Sequence, residues 1–368
     1  MARKTHGAQP FASRLVIRGY KSIACCDLEL KRLNVLIGAN GAGKSNFIGF
    51  FRFVTAVLER QLQMTVGLAG GPDSLLHFGR KHTEQLEASI YFGEVRYQFS
   101  LVPTQDNRLL FSGELISHMG GTEVFTHGTF ESQSDDFNSW GQSNELDPVM
   151  AVLKRWRIYH FHDTGSSAKV KQIHSISDNE YLRDDARNLA AFLLRLKNHH
   201  PEHYQRIVKT VRLVAPFFGG FHLRPTVDNP QKIQLEWTEQ GQDEPFNASA
   251  LSDGTLRFIC LATVLLQPRA FMPSALLIDE PELGLHPFAI TVLAGLMKAA
   301  SIDHQLIIST QSVELVNEFE AADLVVVDKR AGTSTFKRLD AQALEDWLAE
   351  YSLGELWKKN LLGGRPGR

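Results

Sequence analysis

The sequence predicts an α/β fold in which a parallel sheet carries a glycine-rich loop, with an antiparallel β lobe and a compact helical insert. Three observations predict it. Gly38-Ala39-Asn40-Gly41-Ala42-Gly43-Lys44-Ser45 stands between an apolar run (Leu33, Val35, Leu36, Ile37) and a helix-like segment from Asn46. A second apolar run, Ala275 to Ile278, ends in Asp279-Glu280-Pro281. From Gln85 to His127, period-two runs such as Val95-Tyr97-Phe99-Leu101 alternate with turn residues, the pattern of an antiparallel meander.

Strand, glycine loop, Lys-Ser and helix, in that order, make a wrapping for a nucleoside triphosphate. Successive backbone N–H groups bind phosphate oxygens, and the helix N-terminus adds the positive end of its dipole. Gly38, Gly41 and Gly43 let the backbone come close without a Cβ. Lys44, expected as a solvent-facing point charge, reaches the β- and γ-phosphates, and the Ser45 hydroxyl ligates Mg²⁺. Asn40, Gly41, Ala42, Gly43, Lys44, Ser45 and Asn46 are therefore the candidate ATP-binding residues of the loop.

The acidic strand supplies the rest of such a site. Four apolar residues in a row fit a strand buried on both faces. Asp279 at its end is expected beside Ser45, holding Mg²⁺, and Glu280 is placed to deprotonate the attacking water. Two acids after an apolar run also suit a plain strand-end turn, and only the pairing with the glycine loop favours the site. Upstream, Leu251-Ser252-Asp253-Gly254-Thr255 precedes an apolar helix from about Leu256 to Gln267. Ser252 suits a simple helix cap, but a cap requires neither Gly254 nor this order of motifs.

The remaining chain reads in order. Residues 14–37 give two β segments and a core strand, and Asn46 to Met64 a helix with Phe47, Phe51, Val54 and Leu58 on its apolar side. Glu131 to Asp147 is a polar loop, and residues 181–214 carry helical spacing with a first-turn Pro201. Strands return at Ile233–Trp237, Leu276–Ile278, Leu306–Ile308 and Leu324–Val327, the last three as a parallel sheet. Ser352-Leu353-Gly354-Glu355 is a capping-box pattern before a short helix, and Gly363–Arg368 a flexible end. The expected divisions are a tail over 1–13, the first part of the nucleotide domain over 14–130, and loop and helical insert over 131–230. The second part follows over 231–340, then helices and tail over 341–368. Tyr159-His160-Phe161-His162-Asp163 lacks a defined third ligand and reads as a polar strand edge rather than a metal site.

Composition excludes several classes. With 368 residues, 43% apolar and 22% charged, the chain has the make-up of a folded domain. Its net charge of −2 advertises no nucleic-acid binder. No apolar run reaches a membrane span and the start has no signal-peptide core, which excludes a transporter with its own membrane domain. Three cysteines, two adjacent, give no disulfide framework and fit a reducing cytoplasm.

The motifs and their order resemble a known group. Leu251–Thr255 resembles the LSGGQ-type signature of ABC-type ATPases, with Asp253 in the place of the first glycine. Leu15–Ser22, running into the glycine loop, is similar to the heads of RecF, SMC and Rad50 proteins. Asp279-Glu280-Pro281-Glu282-Leu283-Gly284-Leu285-His286-Pro287 and the segment Trp347–Trp357 resemble small bacterial predicted ATPases called AbiEii-like, OLD-like or AAA-family. The resemblance implies a P-loop NTPase of ABC type whose helical insert replaces a coiled-coil arm. It implies a homodimer closing around two ATP molecules with Mg²⁺, where Ser252 and Gly254 contact the partner's γ-phosphate. Relatives carry a switch histidine where this chain has Gln311, and an amide cannot shuttle a proton. The implied role is an ATPase switch for a separate nuclease or toxin effector in anti-phage defence or a toxin–antitoxin system. A RecF-like DNA-repair ATPase and a nucleotide-locked scaffold with negligible turnover are the alternatives.

Overall fold

The computed structural model describes residues 11–119, 121–134 and 147–364. Most of the tail expected over 1–13, most of the loop 131–147, Gly120 and residues 365–368 lie outside the described residues.

Six strands form the central sheet in the order β17 (Thr333–Arg338), β16 (Leu324–Arg330), β3 (Leu33–Ile37), β15 (Gln305–Thr310), β14 (Ala275–Asp279) and β8 (Trp156–Tyr159). All neighbours from β16 to β8 pair in parallel, and only β17 runs antiparallel. Every residue of β3, β14 and β15 is buried, the polar Asn34, Asp279, Gln305, Ser309 and Thr310 included, as strands covered on both faces require. Alternate residues feed two cores. Leu36, Leu277 and Ile307 point to one side, and Val35, Ile278 and Ile308 to the other.

On the first side lies the antiparallel lobe, in the order β2 (Ile23–Glu29), β1 (Arg14–Tyr20), β4 (Leu86–Phe92), β5 (Val95–Pro103), β6 (Leu109–His118) and β7 (Gly121–Thr126). Helix α1 (Lys44–Leu58) shares that core with both sheets. Its phenylalanines are buried on nearly every side because the helix has apolar neighbours both above and below. The expected helix to Met64 breaks at Arg60, whose φ is +57°. A new helix, α2 (Leu62–Leu68), starts there because the Glu131 carboxylate accepts from the backbone N–H groups of Leu62 (2.9 Å) and Gln63 (3.0 Å). Helix α3 (Asp147–Lys154) leads into β8.

On the other side pack α4 (Leu189–His199), α5 (Pro201–Val214), α6 (Asp253–Leu266) and α7 (Pro287–Ser301). The segment expected as loop and helical insert therefore does two jobs. It gives the sheet its edge strand β8, and α4 and α5 cover the core instead of projecting. The pair β9 (His174–Ser175) and β11 (Lys232–Ile233), and the small sheet β10 (Phe218–Phe221), β12 (Glu236–Glu239) and β13 (Pro245–Asn247), close this side. The strand expected over Ile233–Trp237 is thus split between two sheets. Three short helices, α8 (Val313–Asn317), α9 (Glu345–Leu348) and α10 (Leu353–Lys358), complete the chain. No described helix exceeds the 15 residues of α1 and α7, so the described residues hold no coiled-coil arm.

Candidate nucleotide site

Because the strands from β16 to β8 are parallel, their carboxyl ends lie along one edge of the sheet, where α/β folds bind ligands. The glycine loop leaves β3 there. Gly41 and Gly43 have φ of +75° and +117°, the left-handed region that side chains disfavour. A Cβ on Gly43 would lie closer than 3.0 Å to Ser334 Oγ. Ser334, on β17, donates to the Ala42 carbonyl (2.6 Å) and accepts from the Ser22 hydroxyl (2.7 Å), whose oxygen in turn accepts from Asn46 Nδ2 (2.7 Å). Asn46 thus holds the loop from behind in this structure. Ser22 and Ser334 escaped sequence reasoning, since nothing local marks a serine that braces a loop across the fold.

Lys44 differs from its expectation as a solvent-facing charge. It is buried, and its ammonium donates to the carbonyls of Gly38 (2.7 Å) and Ala39 (3.1 Å). Burial lowers its pKa, against the opposing pull of Glu280, Asp279 and Glu282. The ammonium is thereby parked inside the loop it is expected to serve.

The acidic residues converge on the same place. Ser45 Oγ donates to Asp279 Oδ2 across 3.2 Å, and Ser309 Oγ to Asp279 Oδ1. Glu280 sits at φ +45°, with its N–H on the Ser309 carbonyl (2.9 Å). The Gln311 side-chain amide donates to Glu280 Oε1. Gln311 lies just past β15, so the neighbouring strand ends bring amide and carboxylate together. Glu282 is buried; its Oε1 accepts from Thr310 Oγ1 (2.6 Å) and the Gln311 N–H (3.1 Å), while Oε2 has no partner among the described residues. Burial, the largest influence, raises its pKa.

The edge strand adds residues that sequence reasoning did not connect to the site. His162 Nε2 lies 2.8 Å from the Asp279 carbonyl oxygen. Arg257, from α6, donates to the carbonyls of Phe161 (2.8 Å), His162 (3.2 Å) and Leu283, tying the edge-strand loop to the turn after Glu280. The His160 and His162 rings stand 5.6 Å apart, and among the described residues no group of three or more His, Cys, Asp or Glu could hold a metal.

Ser252 and Gly254 lie at the start of α6. The Ser252 Oγ caps the helix by accepting from the Thr255 N–H (3.2 Å), and the residue is exposed. Gly254 has a packing role of its own. A Cβ there would approach the Gly284 carbonyl oxygen closer than 3.0 Å. Among the described residues, no hydrogen bond links these two residues to the glycine loop of their own chain. The candidates thus separate into a converging set (Lys44, Ser45, Asp279, Glu280, Gln311) and a helix start that is not bonded to it. The Ser45 hydroxyl and Asp279 carboxylate are hard oxygen donors, the chemistry that suits Mg²⁺.

A glycine loop between a parallel strand and a helix, with acids at the end of a second strand, defines a P-loop nucleotide-binding domain with the fold of an SMC-type head. The Smc head bound to the C-winged helix domain of ScpA matches with a TM-score of 0.61 at 18% identity, over 92% of this chain and all 100% of that one. The Smc head from Pyrococcus furiosus, bound to the C-terminal domain of ScpA, gives 0.58 at 15% identity over 93% and 99%. A family model matches residues 33–317, and the chain belongs to that family, described as "AAA domain, putative AbiEii toxin, Type IV TA system". Human ATP-binding cassette sub-family A member 6 is 30% identical over 120 residues, which are 32% of this chain and only 7% of that protein.

Proposed function

We propose that the protein is an ATPase in which two copies close around two ATP molecules, and that closure acts as a switch on a separate effector protein. The observation that carries the reading is the convergence of Ser45 on Asp279 beside a Glu280 held by Gln311. Lys44 leaves its carbonyl partners for the β- and γ-phosphates, which the loop N–H groups also bind. Ser45 and Asp279 would hold Mg²⁺, whose charge offsets that of the phosphates. Glu280 accepts the proton of the attacking water, and the Gln311 amide orients it. A histidine would add a titratable group at that place; glutamine leaves the chemistry to Glu280 and makes turnover slow. Ser252 and Gly254, exposed or half-exposed and not bonded to their own loop, complete the partner's site.

Family membership favours a role in bacterial anti-phage defence or a toxin–antitoxin system, with a nuclease or toxin as effector. No described helix is long and apolar enough to cross a membrane, and all three cysteines are free, which suits work in the cytoplasm. The test is Glu280→Gln, which keeps the shape of the side chain but cannot accept a proton. ATP should stay bound in a longer-lived dimer while hydrolysis is lost. Hydrolysis at the wild-type rate would move the base elsewhere.

A further inference from the structure

The segment Ser352–Gly364 returns to the glycine loop, and no role assigned above explains why. It starts with a capping box: the Ser352 N–H donates to Glu355 Oε2 (2.8 Å), and Ser352 Oγ accepts from the Glu355 N–H (3.4 Å). Two anchors then fix it. The Gly354 N–H donates to Asn317 Oδ1 (2.7 Å), on the helix that follows Gln311, and a Cβ on Gly354 would come closer than 3.0 Å to Val313 and Asn317. At the other end the Ala39 N–H of the glycine loop donates to the Gly364 carbonyl (2.7 Å). Gly364 has φ +80° and packs on Gly38, where a Cβ would lie 3.3 Å from the Gly38 Cα. The segment is a clasp joining the opening of the glycine loop to the helix after Gln311.

Between its anchors the clasp walls a cleft of about 410 Å³. Ala39 and Asn40 of the glycine loop, Gln311, and Trp357 and Lys358 of the clasp line it together. Trp357 is buried and braces the wall, and Lys358 is exposed. Lys358 carries its charge near Glu314 and Glu355 but makes no hydrogen bond or ion pair among the described residues. By contrast, its neighbour Lys359 is spent on the Tyr351 ring, 3.5 Å from the centroid.

We propose that Lys358 is a further nucleotide-binding residue, a cation that meets the terminal phosphate of ATP from outside the glycine loop and is held there by the clasp. The inference rests on the reading of the loop as the ATP site. Gln311 marks the terminal-phosphate end of the cleft, because it holds the proposed base Glu280. A cation facing that end therefore favours ATP over ADP, which ends one phosphate short.

The experiment compares the affinities of fluorescent ATP and ADP analogues for the full chain and five variants. Lys358→Ala should weaken ATP by about five-fold, the upper range for an exposed ion pair, and leave ADP nearly unchanged. Lys358→Glu should weaken ATP further, and Lys358→Arg should restore it. Lys359→Ala, on the same helix end but outside the cleft, should change neither. Equal losses for both nucleotides would reduce Lys358 to a support of the fold. No loss from Lys358→Glu, with Lys44→Ala abolishing both affinities, would overturn the proposal and leave the ATP site standing. A wild-type chain that binds neither nucleotide would refute the site itself and this inference with it.

Discussion

Gly254→Ala tests whether the start of α6 acts within its own subunit as well as towards a partner. The new Cβ would stand 3.2 Å from the Gly284 carbonyl carbon and closer than 3.0 Å to its oxygen, so backbone has to move. Such overpacking costs about 1–3 kcal/mol, and alanine returns at most about 1 kcal/mol of helix propensity. A net loss of about 1–2 kcal/mol lowers the melting temperature by about 1–3 °C in a protein of this size. The displaced turn is the one whose Leu283 carbonyl Arg257 holds, four residues and fewer beyond Glu280. Single-turnover hydrolysis should therefore fall in the same subunit. The assay pairs thermal unfolding with hydrolysis in mixtures of Gly254→Ala and Lys44→Ala subunits. If Gly254 acted only on the partner's nucleotide, each heterodimer would keep one intact site and activity would return. Full recovery on mixing, with a melting temperature within about 0.5 °C of wild type, would refute the packing argument.

The same mixing design applied to Ser252→Arg should give the opposite outcome, because Ser252 is exposed and, within its own subunit, its side chain only caps α6, which leaves its proposed role to the partner's nucleotide. ATP binding to the Ser252→Arg monomer should be nearly intact, Lys44→Ala should bind none, and their heterodimers should recover partial hydrolysis. Gln311→His should fit opposite Glu280 and give the pH–rate profile an inflection near the ordinary imidazole value of about 6.5, absent from wild type. An unchanged profile would place residue 311 outside the reaction. Glu282→Gln concerns stability. Burial raises this carboxyl above its ordinary value of 4.5, so the folded chain holds the proton more tightly than the unfolded one. The resulting stabilisation is complete below that ordinary value and is lost as pH rises through the raised one. Melting temperature should therefore decline with pH less steeply in Glu282→Gln than in wild type, and parallel curves would contradict the assignment.

What could be read from the sequence was what chemistry forces to be local. Phosphate wrapping needs glycines, Lys44 and Ser45 in consecutive positions, and a doubly buried strand needs an unbroken apolar run such as Ala275–Ile278. The central sheet and the antiparallel lobe follow from such runs. Features set by distant partners were not legible. Strand β8 has only four residues, and its place is fixed by pairing with β14 rather than by its own pattern. The break before Leu62 depends on a carboxylate 69 positions further on. Ser334 and Ser22 brace the glycine loop from elements whose sequences read as ordinary strands and turns. Lys44 looked free because composition cannot reveal that two carbonyls of its own loop lie within reach.

The left-handed backbone of Glu280 has a consequence for how this protein can change under selection. A non-glycine residue there costs about 1–2 kcal/mol, which glycine would recover. Drift or laboratory screening for thermal resistance alone would therefore favour Glu280→Gly, a substitution that removes the proposed base. Lineages freed from the need to hydrolyse ATP should lose this glutamate early while keeping the glycine loop intact. The pairing of a stable, nucleotide-binding head with a glycine at position 280 would then be the mark of a switch that has stopped resetting.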